Sequence, residues 1–376
     1  KEILDMPYEG PNSFGKTYRE HKQALEFSQN ELEQIYDYAK KMNIICFSTP
    51  CNVNAVKRLE QLNNPIYKIA SFHLTFSDIL EEVCKTGKPI IMSTGASSIE
   101  EIDELLIEIK EAPLADFDDI NLVHPQYFLD DLFSMIPDLG LVGVEKEPYA
   151  DTLLCVNSKD AILRACGAGI AAANDLISGN KKKFFCAVRP PGHHAETTRA
   201  NGFCFVNNVA VTARYLQNRF NLKKIAIIDF DVHHGNGTQE IFYSDDSVFY
   251  GSIHEHPLFP GTGLESETGV GNIFNAPISS GTNSEDFLEI FSNKILKNVD
   301  KFKPEIILIS AGFDAHKRDP LANINLESED YYTLTKSIVE IANRRCNGRV
   351  ISFLEGGYDL LALSECIKAH LKGLSE

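Results

Sequence analysis

Short apolar segments alternate with longer amphipathic segments along most of the chain, a pattern that predicts strands followed by helices. The clearest apolar segment, residues 225–228, indicates a strand buried on both faces of a parallel sheet. Residues 161–177 carry Gly and Ala at positions that suit a helix packed closely against such a sheet. Further apolar strands are predicted at residues 184–188, 306–310 and 350–354. Strands and helices in this order predict an α/β fold with a parallel sheet.

The first third of the chain shows the same alternation on a smaller scale. Ser28 and Glu31 form a capping-box pattern that predicts the start of a helix. Three apolar segments follow and predict strands at residues 44–50, 67–71 and 89–95, with helices between them. This part is therefore predicted to consist of about three βα units.

Polar side chains follow four of the predicted downstream strands directly. They are His193 and His194, then Asp229, Asp231, His233 and Asn236, then Asp314, and finally Tyr358. Strand alternation would place Asp229, Asp231 and His233 on one face of the strand. Ligands of open α/β sheets bind at the carboxyl ends of the strands. A single turn rich in Asp, His and Gly is also explained by helix capping, but the repetition at four strand ends favours a functional site.

Three of these residues form a candidate metal site. Asp231, His233 and Asp314 supply one nitrogen and two carboxylates, and three protein ligands are typical of a catalytic zinc site with an open position. Carboxylate-rich ligation also suits manganese or iron, so the residues alone leave the metal open. A divalent metal at this place indicates metal-assisted hydrolysis of an amide or an ester.

The remaining polar residues have the chemistry that such a hydrolase needs. His193 and His194 are candidates for general acid–base catalysis. Asp229 and Asn236 are candidates for the partners that orient the two imidazoles. Tyr358 follows a Gly-Gly pair and is a candidate donor to an oxyanion.

Several motifs resemble the histone deacetylase and acetylpolyamine amidohydrolase superfamily: RPPGHHAE, GFCFVNNVAV, IDFDVHHGNGTQ, HPLFPGTG, ISAGFDAHKRDPL and LEGGYDL. The resemblance covers about residues 105–376. It implies an arginase-like parallel sheet with helices on both faces, and hydrolysis of acetylated amines such as acetyl-lysine or acetylpolyamine. It assigns zinc to Asp231, His233 and Asp314 and carbonyl polarisation to Tyr358.

The same resemblance implies a pocket and a second cation. Phe203 and Phe259 would wall an acyl-lysine tunnel, with Gly202 in its lining and Leu321 near its mouth. A structural potassium would be held by Asp229, Asp231, His233, Ser252 and Ile253.

The chain departs from this family in two places. Asn236 stands where many nuclear members have Asp, and an amide raises the pKa of the neighbouring His194 less than a carboxylate would. The family's first strand, first helix and rim loop are replaced by an unrelated segment, which affects an edge of the sheet and the pocket mouth.

That segment, about residues 10–104, resembles the sialic acid synthases, which condense phosphoenolpyruvate with an amino sugar in a (β/α)8 barrel. The resemblance rests on FSTP, YKIAS and KPIIMSTGASSIEEI, and in that family the YKIAS lysine, here Lys68, contacts phosphate. About three βα units cannot close an eight-stranded barrel, so we expect a scaffold without synthase activity. The predicted domains are residues 1–104, synthase-like, and residues 105–376, deacetylase-like.

Composition changes this interpretation only slightly. The net charge of −17 argues against direct nucleic-acid binding, which needs a basic surface. No apolar run approaches the ~18 residues of a membrane helix, so we expect no membrane partner. The nine Cys show no C-x-x-C pair and no regular framework, which indicates reduced thiols and a cytoplasmic location. Two alternatives stay open: a carbon–carbon-forming synthase, which a condensation assay would detect, and a non-catalytic scaffold, which zinc content would test. The oligomeric state is not predicted.

Overall fold

The computed structural model describes residue 7 and residues 13–42, 44–70, 77–92, 109–144, 151–179 and 181–376. The chain divides into two compact units, Lys1–Ile109 and Lys110–Glu376, called here the first and the second unit. The predicted domain junction near residue 105 lies outside the described residues. Within the described ranges, no helix combines the length and the apolar character that crossing a bilayer requires.

In its described residues, the first unit contains short helices and two parallel strands. Its elements are α1 Tyr18–Leu25, α2 Gln29–Lys41, α3 Val53–Gln61, β1 Tyr67–Ile69, α4 Ser77–Cys84 and β2 Ile90–Met92. The predicted capping box is formed, because the Ser28 hydroxyl accepts the Glu31 N–H and the Glu31 carboxylate accepts the Ser28 N–H. A small apolar core joins α3, β1 and α4 through Val56, Leu59, Tyr67, Ile69, Ile79 and Val83.

The prediction of a strand at residues 44–50 is wrong, because this segment is irregular. A strand needs a hydrogen-bonded neighbour, but the Ser48 N–H is donated to the side-chain oxygen of Asn64 at 3.2 Å. Ile44 and Ile45 are also more than half exposed, so apolar packing does not hold the segment in a sheet. The two other predicted strands are present as the shorter β1 and β2, and residues 71 and 93–95 lie outside the described part.

The second unit is built on a six-stranded parallel sheet. Its helices are α5 Phe117–Ile120, α6 Gln126–Ser134, α7 Ser158–Ser178, α8 Asn208–Phe220, α9 Asn236–Phe242, α10 Ser284–Ile290, the π-helix Phe291–Leu296, α11 Lys297–Phe302, α12 Ser328–Arg345 and α13 Leu360–Ser375. Its strands are the short antiparallel pair β3 Val142–Gly143 and β4 Leu153–Leu154, then β5 Lys183–Cys186, β6 Ile225–Asp229, β7 Val248–Glu255, β8 Ile273–Ile278, β9 Ile306–Ala311 and β10 Val350–Leu354.

The large sheet has the strand order β5-β10-β9-β6-β7-β8, with every adjacent pair parallel. Side chains of β6 alternate between two separate apolar cores, because Ile225 and Ile227 belong to one core and Ala226 and Ile228 to the other. One core includes α7 and α8, and the other includes α12 and α13. Helices therefore cover both faces of the sheet, which confirms the predicted α/β architecture.

This topology brings the functional candidates to one edge of the sheet. Because all six strands run in the same direction, the segments that follow β5, β6, β9 and β10 leave the sheet on the same side. These segments carry the polar residues singled out from the sequence.

Ile227 offers a test of the central core. Replacing this fully buried side chain with Ala should lower the free energy of unfolding of the second unit by roughly 2–5 kcal/mol, because a cavity remains. Denaturant unfolding followed by circular dichroism measures the change. Leu139→Ala is the matched control, since Leu139 is 92% exposed and its truncation should cost less than about 0.5 kcal/mol. Equal effects of the two substitutions would contradict the assignment of this core.

Candidate functional site

The segment after β6 is shaped by its own carboxylates. The strand ends at Asp229, so strand alternation does not explain the positions of Asp231 and His233, as the sequence had suggested. Instead, one Asp229 oxygen accepts the Asp231 N–H at 3.1 Å, and one Asp231 oxygen accepts the His233 N–H at 2.9 Å. Short-range bonds of this kind turn the chain within a few residues. They direct the side chains toward the end of β9.

Asp231, His233 and Asp314 converge as predicted. All three are buried, and their ligand-type atoms lie within 4.8 Å of one another. Nδ1 of His233 lies 3.2 Å from Oδ1 of Asp231 and 3.1 Å from Oδ2 of Asp314. Two carboxylates and an imidazole in this arrangement are the donor set of a divalent metal with room for further ligands.

Main-chain groups hold the two carboxylates in place. The Gly356 N–H donates to Asp231 Oδ2 at 2.8 Å, and the Val232 N–H donates to Asp314 Oδ1 at 3.0 Å. A Cβ atom on Gly356 would lie 2.1 Å from Asp314 Oδ2, so any larger residue would displace this ligand atom. Position 356 therefore requires glycine, because its backbone lies so close to the Asp314 carboxylate.

The electrostatics of the three residues favour a positive charge between the acids. Burial disfavours ionisation of Asp314, and the neighbouring Asp231 adds to this, so that the pKa of Asp314 rises to about 6. Burial would lower the pKa of His233, but its bonds to Asp231 and Asp314 raise it to about 11. Buried carboxylates need a compensating cation, and a divalent metal is one that this donor set accepts.

His193 is held by a carboxylate. Its Nδ1 donates to Asp229 Oδ2 at 3.0 Å, and the same oxygen accepts the Tyr250 hydroxyl at 3.0 Å. Burial would lower the pKa of His193, but the neighbouring carboxylates, chiefly Asp229 and Asp231, raise it to about 10. His193 is therefore the member of the pair that keeps its proton.

His194 has a different environment. Its Nδ1 lies 2.9 Å from the side-chain oxygen of Asn236, whose amide nitrogen donates to Glu196 at 2.7 Å. This second bond fixes the orientation of the amide, so Nδ1 of His194 is the donor and Nε2 is left unprotonated in the neutral ring. Burial and the charge of His193 hold the pKa of His194 well below its usual range. Two adjacent imidazoles with opposite shifts have the character of an acid and a base.

Aromatic rings contact His194 and Tyr358. Phe259 packs edge to face on His194 with ring centroids 5.0 Å apart, and Phe203 packs in the same way on Tyr358 at 6.0 Å. Phe203 and Phe259 are 38% and 40% exposed, and their role as tunnel walls stays a prediction. Burial and the carboxylates of Asp314 and Asp231 raise the pKa of Tyr358 far above its ordinary value, so its hydroxyl remains a donor.

Gly202 lies against the rings of His194 and Phe259. It has a φ of +54°, and a Cβ atom there would lie 2.5 Å from Cδ2 of His194 and 2.9 Å from a ring carbon of Phe259. A larger residue at position 202 would clash with these two rings, and the positive φ also favours glycine. Leu321 is exposed, and its position near a pocket mouth stays a prediction.

The residues named for potassium lie on β6, on β7 and just after β6. Asp229 and Ser252 are direct partners in the register of these two strands, and Ile253 is the next residue of β7. The Ser252 hydroxyl lies 2.9 Å from Nδ1 of His254. A potassium ion held by these residues stays a prediction.

Two contributors to the site were missed in the sequence. Glu355 is fully buried and accepts the N–H groups of Gly192 and His193 at 2.7 and 3.2 Å, which fixes the turn carrying both histidines. Tyr250 holds Asp229 through its hydroxyl. Glu355 could have been found from the sequence, because it is a charged residue directly before the Gly-Gly pair that follows β10. Tyr250 lies inside β7, and no sequence pattern distinguishes it there.

Comparison with known proteins decides the family. The sequence model of the histone deacetylase domain matches residues 83–374, which is more than half of the chain. The chain belongs to the histone deacetylase family. The sialic acid synthase-like (NeuB) family model matches residues 5–124, so a synthase-like segment precedes the deacetylase match and overlaps its beginning. Both resemblances drawn from the sequence are confirmed.

Individual relatives agree with this family. The chain is 39% identical over 274 residues to "Histone deacetylase 10, chloroplastic" of Oryza sativa, a match that covers 70% of this chain and 61% of the rice protein. It is 41% identical over 246 residues to "Type-2 histone deacetylase 2" of Dictyostelium discoideum, covering 60% of this chain and only 14% of that protein. It is 40% identical over 214 residues to a "Probable deacetylase" of Archaeoglobus fulgidus, covering 56% and 59% of the two chains.

A solved structure supports the arginase/deacetylase fold. The crystal structure of the HDA15 HD domain superposes with a TM-score of 0.65 at 35% identity, covering 71% of this chain and 75% of that one. The histone deacetylase fold thus extends over most of this chain, in agreement with the sheet topology of the second unit.

The metal site offers a direct test. Asp314→Asn keeps the shape of the side chain but removes a charge, so the affinity for zinc should fall by at least about tenfold. Zinc content after dialysis against a weak chelator, measured by mass spectrometry, reports this. Asp246→Asn makes the same chemical change at an exposed position and should leave the zinc content unchanged. Full zinc retention by Asp314→Asn would remove Asp314 from the site.

Proposed function

We propose that the chain is a zinc-dependent hydrolase that removes acetyl groups from acetylated amines. The observation that carries the proposal is the convergence of Asp231, His233 and Asp314 beside two histidines with opposite pKa shifts. Membership of the histone deacetylase family supports a deacetylase reaction. The choice of zinc and the roles of single residues are inferred from the chemistry of these side chains.

Asp231, His233 and Asp314 would hold the metal. When bound, zinc supplies Lewis-acid polarisation of the acyl carbonyl and activation of water at neutral pH. The buried donor set fits this ion, because one imidazole and two carboxylates compensate its charge and leave space for substrate. The N–H groups of Gly356 and Val232 keep the carboxylates oriented.

His194 acts as the general base. Its Nδ1 proton is committed to Asn236, so Nε2 carries the lone pair that accepts a proton from water. The low pKa of His194 keeps the ring neutral in the resting enzyme. The water oxygen then adds to the carbonyl carbon of the substrate.

Tyr358 and the protonated histidines complete the reaction. The Tyr358 hydroxyl donates a hydrogen bond to the carbonyl oxygen as negative charge develops on it. The C–N bond breaks when the nitrogen receives a proton from the histidine pair, and the products are acetate and the free amine. Asp229 holds His193 in the charged form that stabilises this step.

The substrate is an acetylated amine such as acetyl-lysine in a protein or an acetylpolyamine. Phe203 and Phe259 would wall the tunnel for its alkyl chain, Gly202 would line it, and Leu321 would lie at its mouth. The proposal includes a structural potassium at Asp229, Asp231, His233, Ser252 and Ile253, and a cytoplasmic location without direct nucleic-acid binding. The first unit is assigned no synthase reaction.

The decisive experiment measures acetate release by the purified chain. We expect turnover of an acetyl-lysine peptide or of acetylputrescine, loss of turnover after chelation, and recovery with stoichiometric zinc. A zinc-loaded protein that releases acetate from neither substrate would refute the proposed function.

Tyr358→Phe tests the oxyanion donor. The substitution removes one hydroxyl and keeps the ring, so kcat should fall by ~10²–10³ while zinc content stays the same. Tyr127→Phe makes the same change on an exposed residue of α6 and should leave kcat unaltered. A Tyr358→Phe protein within about twofold of the parent would exclude the tyrosine from the reaction.

Asn236→Asp tests the base. A carboxylate beside Nδ1 would stabilise the imidazolium and raise the pKa of His194, so the base would stay protonated to higher pH. The acidic limb of kcat/KM against pH should therefore move to higher pH by about one unit or more. The new carboxylate would also face Glu196, so Asn236→Asp combined with Glu196→Gln is the control without this repulsion. An acidic limb that stays in place or moves to lower pH in both proteins would contradict the role of His194.

A further inference from the structure

Asp319 binds two main-chain groups of the pocket at once. Its Oδ2 accepts the N–H of Tyr358 at 2.7 Å, and its Oδ1 accepts the N–H of Leu321 at 3.0 Å. The side chain is buried, and none of the proposed chemical steps uses it. One carboxylate therefore joins the backbone of the tyrosine to the backbone of Leu321, the residue proposed for the pocket mouth.

The carboxylate itself is well fixed. The Asp319 N–H donates to the carbonyl of His316 at 2.8 Å, and the preceding residues pair with Leu326 in a short parallel bridge. This segment begins at the metal-site residue Asp314, five residues earlier in the chain. Asp319 is thus a rigid support that is continuous with the metal site.

Tyr358 needs such a support because regular structure does not hold it. The strand β10 ends at Leu354 and the helix α13 begins at Leu360, so the tyrosine lies in the irregular segment between them. Gly357, which precedes it, has a φ of +135°. Glycine can adopt many other backbone conformations close to this one, so it restrains the chain little. The bond to Asp319 restricts the peptide group from which the tyrosine side chain extends.

We propose that Asp319 is a positioning residue that sets the place of the Tyr358 hydroxyl and couples it to the pocket mouth at Leu321. The inference rests on the proposed function, because it acts through the hydroxyl that donates to the carbonyl oxygen. A displacement of about 1 Å at a reacting group can cost up to about 10²-fold in rate, so loss of the carboxylate should affect kcat more than KM.

A double-mutant cycle separates this role from a structural one. Asp319→Asn should lower kcat about tenfold or more in the parent protein and change KM less than about threefold. In the Tyr358→Phe background the same substitution should cost less than about twofold, because the hydroxyl that it misplaces is already gone. Lys317→Ala alters an exposed ion pair of the same segment and should leave kcat unchanged in both backgrounds.

Amide hydrogen exchange gives a readout that does not depend on activity. In Asp319→Ala, which removes both acceptors, the peptides containing Tyr358 and Leu321 should exchange faster, while those of β6 and β9 should not. Thermal unfolding and zinc content of each variant report whether the fold and the metal site are intact.

The outcomes are distinguishable. Equal losses of kcat with and without the Tyr358 hydroxyl, or unchanged exchange at Tyr358 in Asp319→Ala, would overturn the role of Asp319 and leave the proposed function standing. A zinc-loaded parent without acetate release would refute the proposed function, and the exchange measurement would still decide whether Asp319 restrains the tyrosine. A full-activity Tyr358→Phe protein would overturn both the tyrosine's role and this inference.

Discussion

Two carboxylates buried side by side set the conditions for the rest of the site. Asp231 and Asp314 come from the ends of two adjacent strands, β6 and β9, and neither has access to solvent that would screen its charge. Main-chain N–H groups donate to both carboxylates, and His233 lies between the acids. Glycines occupy the neighbouring positions where a side chain would not fit. The histidine pair lies beside these acids. The carboxylates, chiefly Asp229 and Asp231, raise the pKa of His193, whereas burial and the charge of His193 lower the pKa of His194.

The parts that depend on strand order could be predicted from the sequence. The apolar segments located β5, β6, β9 and β10, and the rule that ligands bind at the carboxyl ends of parallel strands indicated where the polar residues would meet. Strand alternation correctly predicted that Asp231 and His233 lie together, but for the wrong reason. The strand ends at Asp229, and a turn rather than a continuing strand places the two side chains. Periodicity cannot distinguish a continuing strand from a tight turn held by side-chain acceptors.

Contacts between distant segments could not be predicted. Glu355 binds a turn 163 residues away along the chain, and Asp319 binds the backbone of Tyr358 39 residues away. In each case one partner is a main-chain N–H, which every residue other than proline carries and which leaves no mark in the sequence. The misplaced strand at residues 44–50 has a related cause, because the acceptor for Ser48 is a side chain rather than a neighbouring strand.

Gly202 and Phe203 also have an evolutionary consequence. Both residues have a positive φ, and a side chain at position 202 would enter the space between His194 and Phe259. Under the proposed function, selection for bulkier acyl groups therefore has no route through position 202, because any side chain there would occupy the space beside His194 and Phe259. Shortening Phe259 or Phe203 is the available route, and it would remove ring contacts to His194 or Tyr358 at the same time. If Phe203 and Phe259 wall the acyl site as proposed, a broader acyl range and an ordered set of reacting groups are under opposing selection at these two aromatic positions.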